Sequence, residues 1–208
     1  MTDITAGRSV VIGASSRPRP TRQKENGIMA PNPLSNVRSI AKPSSIEVGD
    51  VVLHVRQLGT SDSRAIEQHL LALAPLDRRA RFFGKLTDEA ISAYARRLDP
   101  FRVVLFGAFD PGERLVGLAE AHPTDAVRKA EIAVSIDPAF RHRGLGQRLV
   151  TRALTAAFVR GAQSAEFNFA PDNRPVVSMV RTLGGRFGPK LGYASVDRST
   201  DWHTRQAA

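Results

Sequence analysis

The stretch AEIAVSIDPAFRHRGLGQRLVTRAL, residues 130–154, decides how this chain folds. An apolar run carrying one acid, Glu131, reads with Lys129 as a strand over 129–136. A basic turn follows, Arg141-His142-Arg143-Gly144-Leu145-Gly146. Beyond it, apolar residues at 145, 149, 150, 153, 154, 157 and 158 make the stripe of a helix. Glycines at a helix start let an anion approach free backbone N–H groups, and the helix dipole favours negative charge there. Arg141 and Arg143 add cationic donors. The other reading of such a turn is a solvated basic loop.

Of two familiar phosphate loops, one fails and the other matches only weakly. A nucleoside-triphosphate loop needs Lys-Ser/Thr after its last glycine, and here Gln147-Arg148 follows. A dinucleotide fingerprint needs Gly or Ala at position 149, which is Leu.

Outward from this stretch, Val51–Arg56 reads as a strand. Ser61-Asp62-Ser63 can cap a helix through Ala65 and Leu70 to about Leu73. A second helix fits 87–98 with Thr87 as N-cap, stopped by Asp99-Pro100. Strands over 102–109 and 114–121 flank a hairpin turn, Asp110-Pro111-Gly112-Glu113. Then come a strand over 165–169, a helix over 173–183 closed by Gly184-Gly185, and a last strand or two over 187–196. The order is β-α-α-β-β-β-α-β-α-β, a mixed α/β domain from about Ile46 to Ala208. Residues 1–45, rich in Pro, Ser and Arg, read as a disordered arm, with Met29 an alternative start.

The 208 residues suffice for one domain with a sizeable core. Absence of cysteine excludes disulfides and thiolate nucleophiles, and fits a cytoplasmic location. No apolar run is long enough to span a membrane. The net charge of +10, half of it in the arm, favours anionic partners: nucleic acid, a membrane surface or a polyphosphate ligand. The histidines at 54, 69, 122, 142 and 203 lack metal-ligand spacing, so no metal is expected.

Arg141-x-x-Gly144-x-Gly146 after a strand resembles the acetyl-CoA motif Q/R-x-x-G-x-G/A of the GCN5-related N-acetyltransferase (GNAT) family. The elements on both sides, with Asp172-Asn173-Arg174-Pro175 and Leu183-Gly184 downstream, extend the resemblance over about residues 50–198. It implies a mixed, mostly antiparallel sheet flanked by helices, preceded by the disordered arm. It also implies that backbone groups of Val134, Ser135 and Ile136 pair with the pantetheine of acetyl-CoA, and that amides from His142, Arg143, Gly144, Leu145, Gly146 and Gln147 hold its pyrophosphate. Asn173 would reach the cofactor, its other reading being a helix cap.

In histone acetyltransferases of this family the general base stands in an Ala-Glu-Ile context ten residues before the motif. Glu131 occupies that register, and Glu120 is the reserve. Only a neutral amine attacks a thioester, and a lysine amine has a pKa of about 10.4, so a carboxylate that takes its proton has a purpose. Many members also place a Tyr on the helix after the Asn to protonate the leaving thiolate. None occurs in Val176–Arg181, so no acid is assigned, and no serine shows an activating partner in the sequence.

Residues 73–83 resemble a segment of bacterial protein lysine acetyltransferases, with Phe82 and Phe83 expected in the core. Ser9–Pro18 resembles the first strand and turn of the CoA-binding domain in nucleoside-diphosphate-forming acyl-CoA synthetases. The resulting expectation is direct acetyl transfer from acetyl-CoA to an amine, with a protein lysine as acceptor. The alternatives are a small-molecule amine, or a non-catalytic acyl-CoA sensor whose basic arm contacts nucleic acid.

Overall fold

The computed structural model describes residues 43–124 and 128–199. Residues 1–42 of the expected arm and Trp202 lie outside the described residues, whereas Ser44 and Ser45, placed in the arm, belong to a strand. The elements are β1 (Ser44–Val48), β2 (Val51–Gln57), α1 (Ser63–Ala72), α2 (Pro75–Phe82), α3 (Asp88–Arg97), β3 (Val104–Phe109), β4 (Leu115–Pro123), β5 (Lys129–Ile136), α4 (Leu145–Val159), β6 (Ser164–Asn168), α5 (Arg174–Thr182), β7 (Arg186–Phe187) and β8 (Tyr193–Asp197). One eight-stranded sheet runs in the order β1-β2-β3-β4-β5-β6-β8-β7. Every neighbouring pair is antiparallel except β5–β6. Two parallel neighbours need a crossover, and α4 supplies it.

The expected strands and helices are present, with two additions, β1 and α2. A hairpin turned at Gly49 pairs β1 with β2, so among the described residues the first strand begins at Ser44. Part of the stretch 73–83 is a helix, α2, started by Pro75. It ends with Phe83 in the left-handed region, φ 53°. That ending turns Phe83 out to solvent, 52 % exposed, whereas Phe82 packs edge-on against Tyr94. The core expectation therefore holds for Phe82, which is half-buried, and not for Phe83. The C-terminal part contains two strands, β7 and β8.

Local chemistry sets the boundaries. Thr87 accepts the Ala90 N–H and caps α3. In the β3–β4 turn, Asp110 accepts N–H bonds from Gly112 and Arg114 at 3.0 and 2.9 Å. Asp62 precedes α1 without capping it by its side chain; it binds Arg56 and the Gly59 N–H instead.

The sheet has two different faces. Leu145, Leu149, Val150, Leu154 and Phe158 of α4, with Val180 of α5, bury Val104, Phe106, Ile132, Phe167 and Val196. On the opposite face Ile66 and Leu70 of α1 and Ile91 of α3 cover Leu105, Leu115 and Leu118. That second cover lies over β3 and β4. Further along the same face, Lys129, Glu131, Glu166 and Tyr193 stay partly exposed and Asn168 exposed.

Candidate active site

The site forms where β5 and β6 part. They pair from Lys129↔Ser164 to Ile132↔Phe167, whereas β5 remains paired with β4 as far as Ile136↔Gly117. The β6-facing edge of residues 133–136 is therefore open. The Asp137 N–H donates to the Val116 carbonyl on the β4 side. Backbone groups alternate sides along a strand, so Ser135 and Ala133 also face β4, and Val134 and Ile136 face the slot. The Arg141 Nε donates to the Ile136 carbonyl at 2.9 Å, and its guanidinium pairs with Asp77 of α2 at 2.8 Å. Arg141 thus spends its side chain bracing the mouth of the slot against α2.

The turn beyond the slot presents N–H groups. His142 and Gly144 both have positive φ, 59° and 78°. A Cβ built at Gly144 meets nothing within 4 Å, so the turn faces open space. Among the described residues the amides of His142, Arg143 and Gly144 donate to no backbone carbonyl, and the first helical bond of α4 runs from Arg148 to Gly144. The N–H groups of Leu145, Gly146 and Gln147 are left over by helix geometry. Their dipole end points at the same space. The Leu145 side chain is buried in the core, leaving only its amide for a ligand. Arg143 and Arg148 are exposed beside the turn. Asn173 caps α5, its Oδ1 accepting the Val176 N–H at 3.3 Å; its amide Nδ2 is the end left for a ligand.

Glu131 projects on the α1-side face, one residue before the strands part. Asn168 donates to its Oε1 at 3.0 Å. Its cross-strand neighbours are His122 on β4 and Glu166 on β6. Glu166 is itself engaged by Lys129 at 2.6 Å and by the Tyr193 hydroxyl at 2.9 Å, and the Lys129 hydrogen bond holds its carboxyl below the usual range.

Glu120, the reserve base, is buried in a closed network. It forms an ion pair with Arg81, accepts the Tyr94 hydroxyl at 2.5 Å and lies 2.8 Å from His122 Nε2. Burial pushes its carboxyl up, but the Arg81 charge and the His122 and Tyr94 bonds outweigh burial and hold it well below the carboxylate range. Burial, with the nearby Glu120 charge, pushes the Tyr94 phenol up. A carboxylate this stable is a poor proton acceptor, and its lone pairs are committed. Glu120 is an anchor for α2 and α3, and we drop it as a base.

A second buried pair was absent from the sequence reading. His69 of α1 places Nδ1 3.0 Å from the Leu115 carbonyl and Nε2 2.9 Å from the Ser135 hydroxyl. Ser135 therefore has a basic partner, contrary to the expectation that no serine does. His69, Arg81, Tyr94 and His122 carry no motif, and only folding brings them to this face.

The family model of the acetyltransferase (GNAT) family matches residues 70–184. No curated protein matches the chain by sequence. Among solved structures, the GNAT domain of S. lividans PAT superposes with a TM-score of 0.58 at 16 % identity, covering 75 % of this chain and 96 % of that one. The ribosomal-protein-S5-alanine acetyltransferase of Vibrio fischeri gives 0.58 at 14 %, covering 76 % and 98 %. The spermidine N-acetyltransferase of Vibrio cholerae, solved with CoA and spermine, gives 0.55 at 18 %, covering 70 % and 95 %. These likenesses bear on the fold. The family match spans more than half of the sequence and includes β5, the glycine turn and α4, and on that match the chain belongs to the acetyltransferase (GNAT) family of acyl-CoA-dependent N-acyltransferases.

Proposed function

We propose that this chain transfers an acetyl group from acetyl-CoA directly to an amine, with Glu131 as general base and a protein lysine as acceptor. The observation that carries the reading is the open edge of β5 at 133–136, with the N–H-rich turn at one end and Glu131 at the other.

The residues suit acetyl-CoA. Val134, with its N–H and carbonyl, and the Ile136 N–H offer backbone groups to an extended amide chain such as pantetheine, as a strand edge does, while the Ile136 carbonyl is held by Arg141. The amides of 142–147, the α4 dipole and Arg143 suit a pyrophosphate. When bound, acetyl-CoA supplies an activated thioester. The Val134 N–H, facing the slot, polarises its carbonyl oxygen. Glu131, on the face opposite α4, receives the acceptor's proton directly or through a water. Deprotonating a lysine at pH 7 costs roughly 4–5 kcal/mol, which is the work a base spares the acceptor.

The half-exposed floor of Glu131, Glu166 and Tyr193, with exposed Asn168 beside them, supports a cationic amine presented from an extended chain, since among the described residues no helix covers it as α1 and α3 cover β3 and β4. The cytoplasm is the compartment we assign, from the cysteine-free sequence. Turnover of acetyl-CoA over a panel of protein lysines, peptides and polyamines, read as thiol release and acceptor mass, tests the reading. Robust turnover confined to a polyamine would overturn the lysine assignment, and none with any amine would overturn the enzyme.

A further inference from the structure

His69 and Ser135 have no part in the transfer just described. They meet on a face that otherwise buries Leu58, Ile66, Leu70, Leu115 and Leu118. Their proton positions follow from their partners. A carbonyl only accepts, so His69 Nδ1 carries the proton that binds Leu115, and Nε2 presents a lone pair. The Ser135 hydroxyl must then donate to Nε2. Burial pushes the His69 imidazole down, which keeps it neutral. The product is a hydroxyl held on a neutral imidazole whose far nitrogen is anchored, the arrangement of a nucleophile and its base.

A bond serving only to fasten α1 to β5 has little to recommend it here. Such a bond nets about 0.5–1.5 kcal/mol, and an apolar pair of the same shape would do nearly as well. Position supplies the second reason. Ser135 directly follows Val134, whose N–H faces the slot. Glu131 lies four residues back on the same face, roughly 13 Å along the strand. Ser135 is thus the nearer of the two to the slot's middle.

We propose that Ser135 and His69 form a nucleophile–base pair that accepts the acetyl group and passes it to water, a thioesterase activity inside the acyltransferase site. The proposal rests on the reading that the thioester lies along residues 133–136. Ser135 Oγ bonds to the thioester carbon and the C–S bond breaks. The hydroxyl proton moves to His69 Nε2 and on to the departing sulfur, giving free coenzyme A and O-acetyl-Ser135. Water then adds to the ester carbon, gives a proton to Nε2, and the Ser135 oxygen leaves with that proton. The balance is acetyl-CoA plus water to acetate, coenzyme A and a proton.

The test uses the full chain with acetyl-CoA and no amine. Thermal shift reports binding, thiol and acetate assays report hydrolysis, and mass spectrometry after acid quench reports the adduct. A single acetyl group on the peptide containing Ser135 is expected. Ser135→Ala should abolish the adduct and slow hydrolysis on the order of 10²-fold or more. His69→Gln keeps a hydrogen-bonding side chain without a base and should slow it likewise. Should either variant fail to fold, Ser135→Cys retains a nucleophile, and its adduct should become a thioester cleaved by neutral hydroxylamine. A normal acetyl-CoA shift with no hydrolysis, or with hydrolysis indifferent to Ser135, overturns this proposal alone. No shift with acetyl-CoA overturns the slot reading and this one with it.

Discussion

Arg81 and Glu120 neutralise each other on the α1-side face of the sheet, with side chains 10 % and 1 % exposed. One comes from α2 and the other from β4, so a single ion pair fixes the helix over the strand. Glu120→Gln leaves the guanidinium without its counter-charge. Removing one member of a buried pair costs about 3–5 kcal/mol, so the urea midpoint should fall steeply. The pH sense is fixed as well. A carboxyl held low in the fold contributes stability that is complete above its unfolded pKa, about 4.3, and lost as pH falls through the folded value. Wild-type stability should therefore decline below about pH 4, and the decline should be shallower in the Gln variant.

Glu131→Gln should leave acetyl-CoA binding intact and slow amine acetylation. General-base contributions are on the order of 10²–10⁴-fold. The deficit should narrow as pH rises toward the acceptor's own pKa, because less deprotonation is left to do. Wild-type kcat throughout that range would end the assignment of Glu131.

Acetyl-CoA should raise the melting temperature. At about 100 times Kd the gain is about 2.7 kcal/mol. Gly144→Glu should erase the shift, because it puts a carboxylate and a Cβ into the space the turn faces. Gly144→Ala tests the backbone alone: with φ at 78°, the added methyl is strained by about 1–2 kcal/mol although nothing blocks it.

Two truncations probe the N-terminal boundary, with the arm through residue 42 proposed as dispensable. Removing residues 1–42 should leave stability and cofactor affinity nearly unchanged. Removing 1–49 should not, because Ile46 and Val48 are 6 % and 1 % exposed and Ser44 accepts a hydrogen bond from Arg152 of α4. Full burial of each such side chain is worth about 1.5–3 kcal/mol. Calorimetry of both proteins distinguishes the outcomes.

What could be read in advance was local. The strand, turn and helix of 129–159 lie in one continuous stretch, and the resemblance to histone acetyltransferases, counted back from its motif, singled out Glu131. Thr87 and the Asp110 turn announced themselves through capping chemistry. By contrast, β1 is five residues long and only Ile46 and Val48 face inward, too short a period to separate from the preceding Pro- and Ser-rich segment. Glu120 looked like a spare carboxylate because Arg81 and Tyr94 are 39 and 26 residues away in sequence. Ser135 and His69 are separated by 66. Partners at such distances become visible only when α1, α2 and α3 settle on the sheet.

The parting of β5 from β6 divides one sheet into five strands and three, joined by four residue pairs at one end. Such a sheet is a partly drawn zipper whose remaining teeth, together with the core under α4, connect β6, β8 and β7 to the larger half. A chain laid in the gap adds teeth rather than merely filling a groove. Amide exchange in β6 and β8 should then slow on acetyl-CoA binding together with Val134 and Ile136, although β8 does not border the gap, because β8 is paired with β6 along its length.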